Sequence, residues 1–297
     1  MKVLISGSSG LIGRNLLAAL KLRGDQVLRL VRTKTGDPDS VFWDIDNATM
    51  ETQKIKGIDA VVHLAGEPVA EKWTVEAKRK IRQSRKEGTE HLSLTLAQLD
   101  PPPAVFVSGS AIGYYGDRGD ELLTESALPG TGFLPEVCQQ WENATGAARV
   151  AGIRTVLLRT GIVLSKEGGA LSKMLPPFKM GLGGPLGNGK QYMSWVDLDD
   201  VVGAILYALG NEDVEGPTNM VAPNPVRNSE FTQKLAKVLH RPAIFPVPVG
   251  VLHMAVGEMA DELILASANV IPKRLAKAGY KFKYPELEDA LKHVLHK

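Results

Sequence analysis

Cysteine is almost missing from this chain. Cys138 is the single one among 297 residues, so no internal disulfide can form, and the chain is expected in a reducing compartment, the cytoplasm. An excess of charge of one sign is missing too: 35 Lys and Arg face 33 Asp and Glu, a formal net charge of +2. The cations are scattered instead of gathered in one block, so no nucleic acid is expected as partner. No apolar run reaches the roughly 20 residues that cross a bilayer. The residues after Met1 already read as a strand and not as a secretory leader, so no membrane is expected either. The acidic cluster Glu258, Asp261 and Glu262 has no His or Cys at ligand spacing, and no metal site is expected. What is present is a 44% hydrophobic content, enough for a sizeable core in one large domain or two unequal ones.

The first thirty residues organise the rest. A short apolar run, Val3-Leu4-Ile5, leads into the turn Gly7-Ser8-Ser9-Gly10-Leu11-Ile12-Gly13, and Ile12, Leu16, Leu17 and Leu20 then recur at helical spacing. This predicts a strand, a tight turn and a helix. Glycines let the backbone approach a pyrophosphate, and the free N–H groups at the helix start hold its charge. A second strand, Val27 to Val31, completes a β-α-β unit. Gly7, Ser9, Gly10, Leu11, Ile12 and Gly13 are therefore expected to cradle a dinucleotide, the alternative being a merely structural turn. An NAD site usually carries Asp or Glu at the end of that second strand. Here Arg32 stands there with Lys34 close by, which suits a 2′-phosphate and favours NADP(H) over NAD(H). A solvated loop start would give the same residues.

Further strands alternate with helices. Val41 to Asp44 is a third strand, with Asp44 facing the adenine edge. Ala60 to Gly66 is a fourth, whose end, Leu64, Ala65 and Gly66, lets the cofactor lie close. His63 reads as a hydrogen-bonded core residue. Ala104 to Val107 is a fifth strand and Val156 to Arg159 a sixth, with Arg159 counted among the cofactor contacts. A basic helical segment runs from Thr74 to Leu99 and includes Lys78, Arg79, Lys80, Arg82, Arg85 and Lys86, mostly a wet face with one or two cations within reach of phosphate. The expected fold class is α/β, a doubly wound parallel sheet of the Rossmann kind with a smaller C-terminal α/β lobe. The cofactor domain would comprise 1–168 and about 190–215, and the lobe about 169–189 and 216–297. The Gly/Pro-rich stretch Leu175 to Gly187 reads as a shaped binding loop or a plain crossover. Gln191 and Trp195 read as a substrate wall, and Asp199 and Asp200 as caps of the helix to Leu209. Lys273 and Arg274 read as surface cations or a diphosphate grip.

Four features then resemble one superfamily: Gly7, Gly10 and Gly13 in their spacing, His63-Leu64-Ala65-Gly66, the Ser-rich strand end before Tyr115-Gly116-Asp117, and Trp195 to Asp200. Together they look like the extended short-chain dehydrogenase/reductases, in the sugar-nucleotide epimerase and dehydratase branch. The resemblance implies a Ser at the end of the fifth strand that holds the substrate oxygen, Ser110 best and Ser108 second. It also implies a Tyr with a Lys four residues later, the cation lowering the phenol pKa. None of the six tyrosines here, Tyr114, Tyr115, Tyr192, Tyr207, Tyr280 and Tyr284, has that lysine. Cys138 and Glu142 share a helix face where the pair would stand, and with Tyr114 and Tyr115 they are the candidate substitutes. Gly113 to Asp117, Phe133 to Glu142, Leu158 to Leu164 and Gly181 to Gly189 resemble an atypical epimerase-like family, which implies bound NADP(H) and an undefined small-molecule substrate.

Two functions follow. One is an NADP(H)-dependent oxidoreductase or epimerase using Ser110 and an unusual acid/base; the other is a non-catalytic NADP(H)-binding regulator or sensor. A monomer or homodimer suits either.

Overall fold

The computed structural model describes residues 1–296; Lys297, the last residue of the expected lobe, lies outside them. Eight strands form the central sheet: β1 (Lys2–Ser6), β2 (Gln26–Val31), β3 (Ser40–Asp44), β4 (Thr49–Met50), β5 (Ala60–His63), β6 (Val105–Ala111), β7 (Arg154–Thr160) and β8 (Gly216–Met220). Their order is β8-β7-β6-β5-β1-β2-β3-β4. All neighbours run parallel except β3 and β4. The order reverses direction at β1, with β2 on one side and β5 on the other, and that is where a doubly wound sheet opens a crevice.

Helices cover both faces. On one, α1 (Leu11–Leu22) buries Leu16 and Leu20 beside Val201, Ile205 and Leu209 of α4 (Leu198–Gly210), against the β1, β5, β6 and β7 side chains. On the other, α2 (Val75–Ala97) sets Leu92 and Leu96 against Leu4, Val61 and Phe106. Thr74 begins α2 by accepting from the Ala77 N–H at 3.1 Å, satisfying one of the donors a helix start leaves free. Next to α2 packs α3 (Phe133–Asn143).

A second core belongs to the smaller lobe. Leu171, Leu175 and Phe178 of the helix Gly169–Lys179 meet Phe231 and Leu235 of α5 (Asn228–Leu239) and Leu287 and Leu291 of α6 (Leu287–Leu295). The lobe does not begin at 216 as expected. Gly216–Met220 is β8, hydrogen-bonded along β7. Its sequence, with Pro217 and Asn219, has poor strand propensity, but an edge strand tolerates a proline without an N–H. The chain therefore returns from the lobe to the sheet and leaves again after Met220.

The caps of α4 also differ from expectation. Asp197, not Asp199 or Asp200, accepts from the Asp199 N–H at 2.7 Å. Asp200 is fully buried and takes the Lys283 and Tyr284 N–H groups at 2.7 and 2.9 Å, latching the C-terminal segment onto α4. Burial pushes the Asp197 carboxyl up to about 6, and its Oδ2 has no partner among the described residues. Because the folded pKa lies above the ordinary value of 3.8, Asp197 favours folding while protonated, and that contribution is lost as pH rises toward and through 6. Asp197→Asn keeps an acceptor for the cap and carries no charge. Its stability relative to the parent should rise between about pH 4 and pH 7, by on the order of 2 kcal/mol, in urea unfolding. A constant difference across that range would exclude the ionisation.

Candidate functional site

The glycine turn lies at the carboxyl edge of β1, and two of its glycines are geometrically compulsory. Gly7 has φ +68°, and a Cβ there would stand 2.7 Å from the Leu64 carbonyl carbon. A Cβ on Gly13 would stand 2.1 Å from the Gly7 oxygen. Gly10 is the N-cap of α1, and no side chain takes the free amides there. Ser9 and Gly10 are exposed, and Leu11 and Ile12 half-buried. A cradle that any side chain would fill, lined by free N–H groups, fits a diphosphate.

A buried network fixes the neighbouring strand end. Ser6 Oγ accepts from the Leu64 and Ala65 N–H groups at 3.1 and 3.2 Å and lies 2.6 Å from His63 Nδ1. Having accepted twice, the hydroxyl directs its proton to Nδ1, so Nε2 carries the hydrogen toward Thr89 Oγ1 at 3.0 Å. Burial pushes the His63 pKa down to about 4, leaving it neutral and structural. Leu64 and Ala65 thus lie against the glycine turn, and Gly66 beside them is exposed.

Beyond the turn runs a groove of about 590 Å³ whose walls include Arg32, Trp43, Asp44, Ile45 and Glu67. The Arg32 side chain is 81% exposed, its nearest carboxylate Glu67 at 3.7 Å. Asp44 is bonded by the Asn47 side chain and backbone, which hold its pKa below the usual value.

On the other side of the crevice, β6 runs farther than expected and carries Ser108 and Ser110, both buried. Ser110 Oγ donates to Glu142 Oε1 at 2.7 Å. Both Glu142 oxygens accept from Arg159, through Nε and Nη2 at 2.8 Å each. Arg159 Nη1 donates to the Tyr115 hydroxyl at 3.0 Å and to the Glu125 carbonyl, and its guanidinium lies 3.5 Å from the Tyr114 ring centre. Burial opposes the Arg159 charge, but the Glu142 bonds hold its pKa above the ordinary range. With every nitrogen engaged, Arg159 is a partner of Glu142 and not the free cofactor contact expected from its strand position. An arginine inside the apolar run Val156 to Thr160 was the signal: a cation there requires a buried carboxylate.

The other candidates divide. Tyr115 is fully buried, its hydroxyl donating to Asn219 Oδ1 at 2.7 Å, and burial raises its pKa. Burial also pushes the Cys138 thiol up to about 12, with Glu142 adding to the effect. A thiol that stays protonated at neutral pH is no proton acceptor. Tyr114 packs edge-on to Tyr115. Trp195 and Gln191 form no substrate wall: Trp195 is fully buried, donating to the Asn224 carbonyl, and Gln191 donates to the Leu186 carbonyl. The Gly/Pro stretch packs on the chain at Phe245 to Val247 through backbone bonds, as a crossover does. Arg274 donates to the Glu215 carbonyl. Asp197, Asp199 and His293 approach within 4.8 Å of one another, at a helix N-terminus whose field disfavours a cation. Among the described residues no helix is long and apolar enough to cross a membrane.

Known proteins are similar to this chain in sequence and fold. Residues 3–222 match the NAD dependent epimerase/dehydratase family, and residues 247–294 match a domain of unknown function, DUF1731. The epimerase family protein ML0860 of Mycobacterium leprae is 40% identical over 98% of this chain and 95% of its own. A crystal structure of the human epimerase family protein SDR39U1 (isoform 2) with NADPH superposes with a TM-score of 0.90 at 32% identity, covering 100% of this chain and 99% of that one. A nucleoside-diphosphate sugar epimerase from Corynebacterium glutamicum gives 0.81 at 36% identity, covering 99% of this chain and 58% of that one.

Proposed function

The chain belongs to the NAD-dependent epimerase/dehydratase family, and from that premise we propose that it is an NADP(H)-dependent oxidoreductase of the reducing cytoplasm. Its substrate would be a small hydroxy or keto compound, or one like a sugar nucleotide. The observation that carries this reading is the bonded series Ser110–Glu142–Arg159, buried at the carboxyl end of β6 across the crevice from the glycine turn. The dinucleotide, when bound, supplies hydride chemistry. The residues of the chain handle the proton. Ser110 gives its own hydrogen to Glu142, so its oxygen is free to accept one from a substrate hydroxyl. As that proton arrives at Ser110, the serine proton passes to the Glu142 carboxylate, and Arg159 keeps the carboxylate oriented. This takes the place of a Tyr–Lys pair with no phenol involved.

The experiment is to follow NADPH absorbance against a panel of carbonyl compounds and sugar nucleotides. Oxidation that is lost in Ser110→Ala supports the relay. A second reading, a cofactor-binding regulator, is favoured by the neutral Cys138 thiol and the buried Tyr115. Tight NADPH binding with no turnover on any compound would select it.

Arg32 supports NADP(H) over NAD(H), since its cation is exposed at the end of β2 and only loosely paired. The human relative crystallised with NADPH points the same way. Arg32→Ala should weaken NADPH by about 1–3 kcal/mol, the worth of a charge-assisted bond, while leaving NADH nearly unchanged. Fluorescence titration with both dinucleotides checks it, and equal weakening would remove Arg32 from the 2′-phosphate.

A further inference from the structure

The acidic residues Glu258, Asp261 and Glu262 go three separate ways in the fold. Asp261 bonds with His253 inside its own segment, at 2.9 Å. Glu258 crosses to Lys78 of α2, whose ammonium lies 5.4 and 5.0 Å from the Trp73 and Phe133 ring centres. Glu262 crosses to α3, where its two oxygens accept from the Phe133 and Leu134 N–H groups at 3.0 and 2.7 Å. A carboxylate at that point satisfies two donors that a helix start leaves free and meets the positive end of the helix dipole. Gly132, at φ +120°, leaves it room, for a Cβ there would stand 3.1 Å from Glu262 Cδ.

The segment that carries these carboxylates is fastened at both ends and lightly held between them. Before it, Val247 donates to the Pro185 carbonyl and accepts from the Gly187 N–H, both at 2.9 Å. After it, Ser267 donates through its N–H to Asp117 at 3.1 Å and through its hydroxyl to the Gly119 carbonyl at 2.6 Å, and its carbonyl accepts from the Arg118 N–H at 2.8 Å. From 248 to 266, the hydrogen bonds to the rest of the described chain are those of Glu258 and Glu262 and one of 3.5 Å from Gln191 to the Ile264 carbonyl. The helix Val249–Val256 is apolar on every side except at His253, yet it buries Leu252 alone and leaves Met254 85% exposed. Beyond it only Met259 and Ala260 are buried before Ser267. Little apolar burial opposes release of this segment, and low local stability is what a moving element requires. Its two crossings lie at the reacting end of the crevice. They bridge α2 and the start of α3, the helix that carries Glu142, and a Cβ on Gly113, three residues past Ser110, would stand 3.4 Å from Leu134 Cβ.

We propose that residues 248–266 form a strap that opens and closes the reacting end of the crevice. Glu258 and Glu262 are its clasps, and Val247 and Ser267 its fixed ends. Closed, the strap keeps water from Ser110 and Glu142; open, it frees the first turn of α3 and admits the nicotinamide end of a dinucleotide. The gating of the dinucleotide rests on the NADP(H) reading above, whereas the opening itself does not.

The test has two arms on the full chain. Hydrogen exchange read by mass spectrometry, without ligand, should show the strap amides and those of Phe133 and Leu134 exchanging about a hundredfold or more faster than β1 and β6, as local opening does. Glu258→Gln and Glu262→Gln should each speed exchange of the strap by about tenfold while leaving β1 and β6 as in the parent. Raising salt from about 0.1 to 1 M should speed the parent strap too, by screening Glu258 from Lys78. In the second arm, stopped-flow fluorescence with NADPH should show association and dissociation both about tenfold faster in Glu262→Gln, with affinity nearly unchanged, because a gate that does not touch the ligand alters both rates alike. Strap amides that exchange only together with β1 and β6 overturn the strap. A strap loosened in the variants with NADPH rates equal to those of the parent overturns the gate, and so does faster dissociation with unchanged association, which is the loss of a direct contact. A parent that binds no NADPH overturns the cofactor reading instead, and the exchange arm still decides whether the strap opens.

Discussion

Gly13→Ala is expected to lose NADPH binding by about a hundredfold and to lower stability by about 3 kcal/mol. The added methyl has nowhere to go. Its carbon would fall 2.1 Å from the Gly7 oxygen and 2.8 Å from the Gly7 carbonyl carbon and Ser8 Cα, all backbone atoms that no rotamer change can move. Relief requires the first turn of α1 to slide away from the strand–turn junction. That shift would splay the amide groups that a diphosphate needs convergent, so one displacement damages both binding and packing. Leu16 and Leu20, one and two turns on, are fully buried against β1 and β5, and they would resist the slide. Thermal melts with and without NADPH separate the two effects. A variant that melts like the parent and still gains stability from NADPH would show that the turn yields where the packing says it cannot.

Glu142→Gln should lower stability by about 3–5 kcal/mol, because it strands the Arg159 charge in the interior. Arg159 is 2% exposed, and two of its nitrogens bond only Glu142. A neutral amide returns one oxygen and faces the guanidinium with donors of its own. The discriminating companion is Glu142→Gln combined with Arg159→Met. Removing both charges should recover much of the loss, since a buried pair gains little over apolar side chains of like size. Recovery of stability without recovery of any NADPH oxidation found for the parent would then separate the pair's structural part from its part in the relay proposed through Ser110. A double variant no better than the single one would mean that the interior depends on Arg159 for its bonds to Tyr115 and Glu125 more than it suffers from the charge.

The amino-acid pattern announced the cofactor end of the crevice more fully than the reacting end, for physical reasons. A turn that must touch backbone on two sides admits only glycine, so Gly7 and Gly13 advertise their own geometry. The strands β1 and β5 are buried almost along their whole length and read as short apolar runs. β8 lies at the sheet edge with a proline and an asparagine, and nothing local distinguishes Gly216 to Met220 from a loop. Partnerships across the fold were the harder part. Glu142 and Arg159 are 17 residues apart, and only the packing of α3 over β6 and β7 reveals that they neutralise each other. Trp195 shows the converse: a large aromatic beside a Gly-rich stretch suggests a ligand wall, yet the lobe needed it as core filling.

The return of the chain to the sheet at Gly216–Met220 also bears on how the crevice can open. Strand β8 and helix α4 both belong to the cofactor half, yet the lobe's residues precede and follow them, and Asp200 then fastens the segment at Lys283 and Tyr284 back onto α4. The halves are interlaced like two hands with crossed fingers. Separating them would mean drawing several strands apart together, so a wide hinge swing about a single tether is not available. What can change shape at the groove with least cost is then its side chains, Arg32, Glu67 and Arg79 among them, more than the setting of one half against the other.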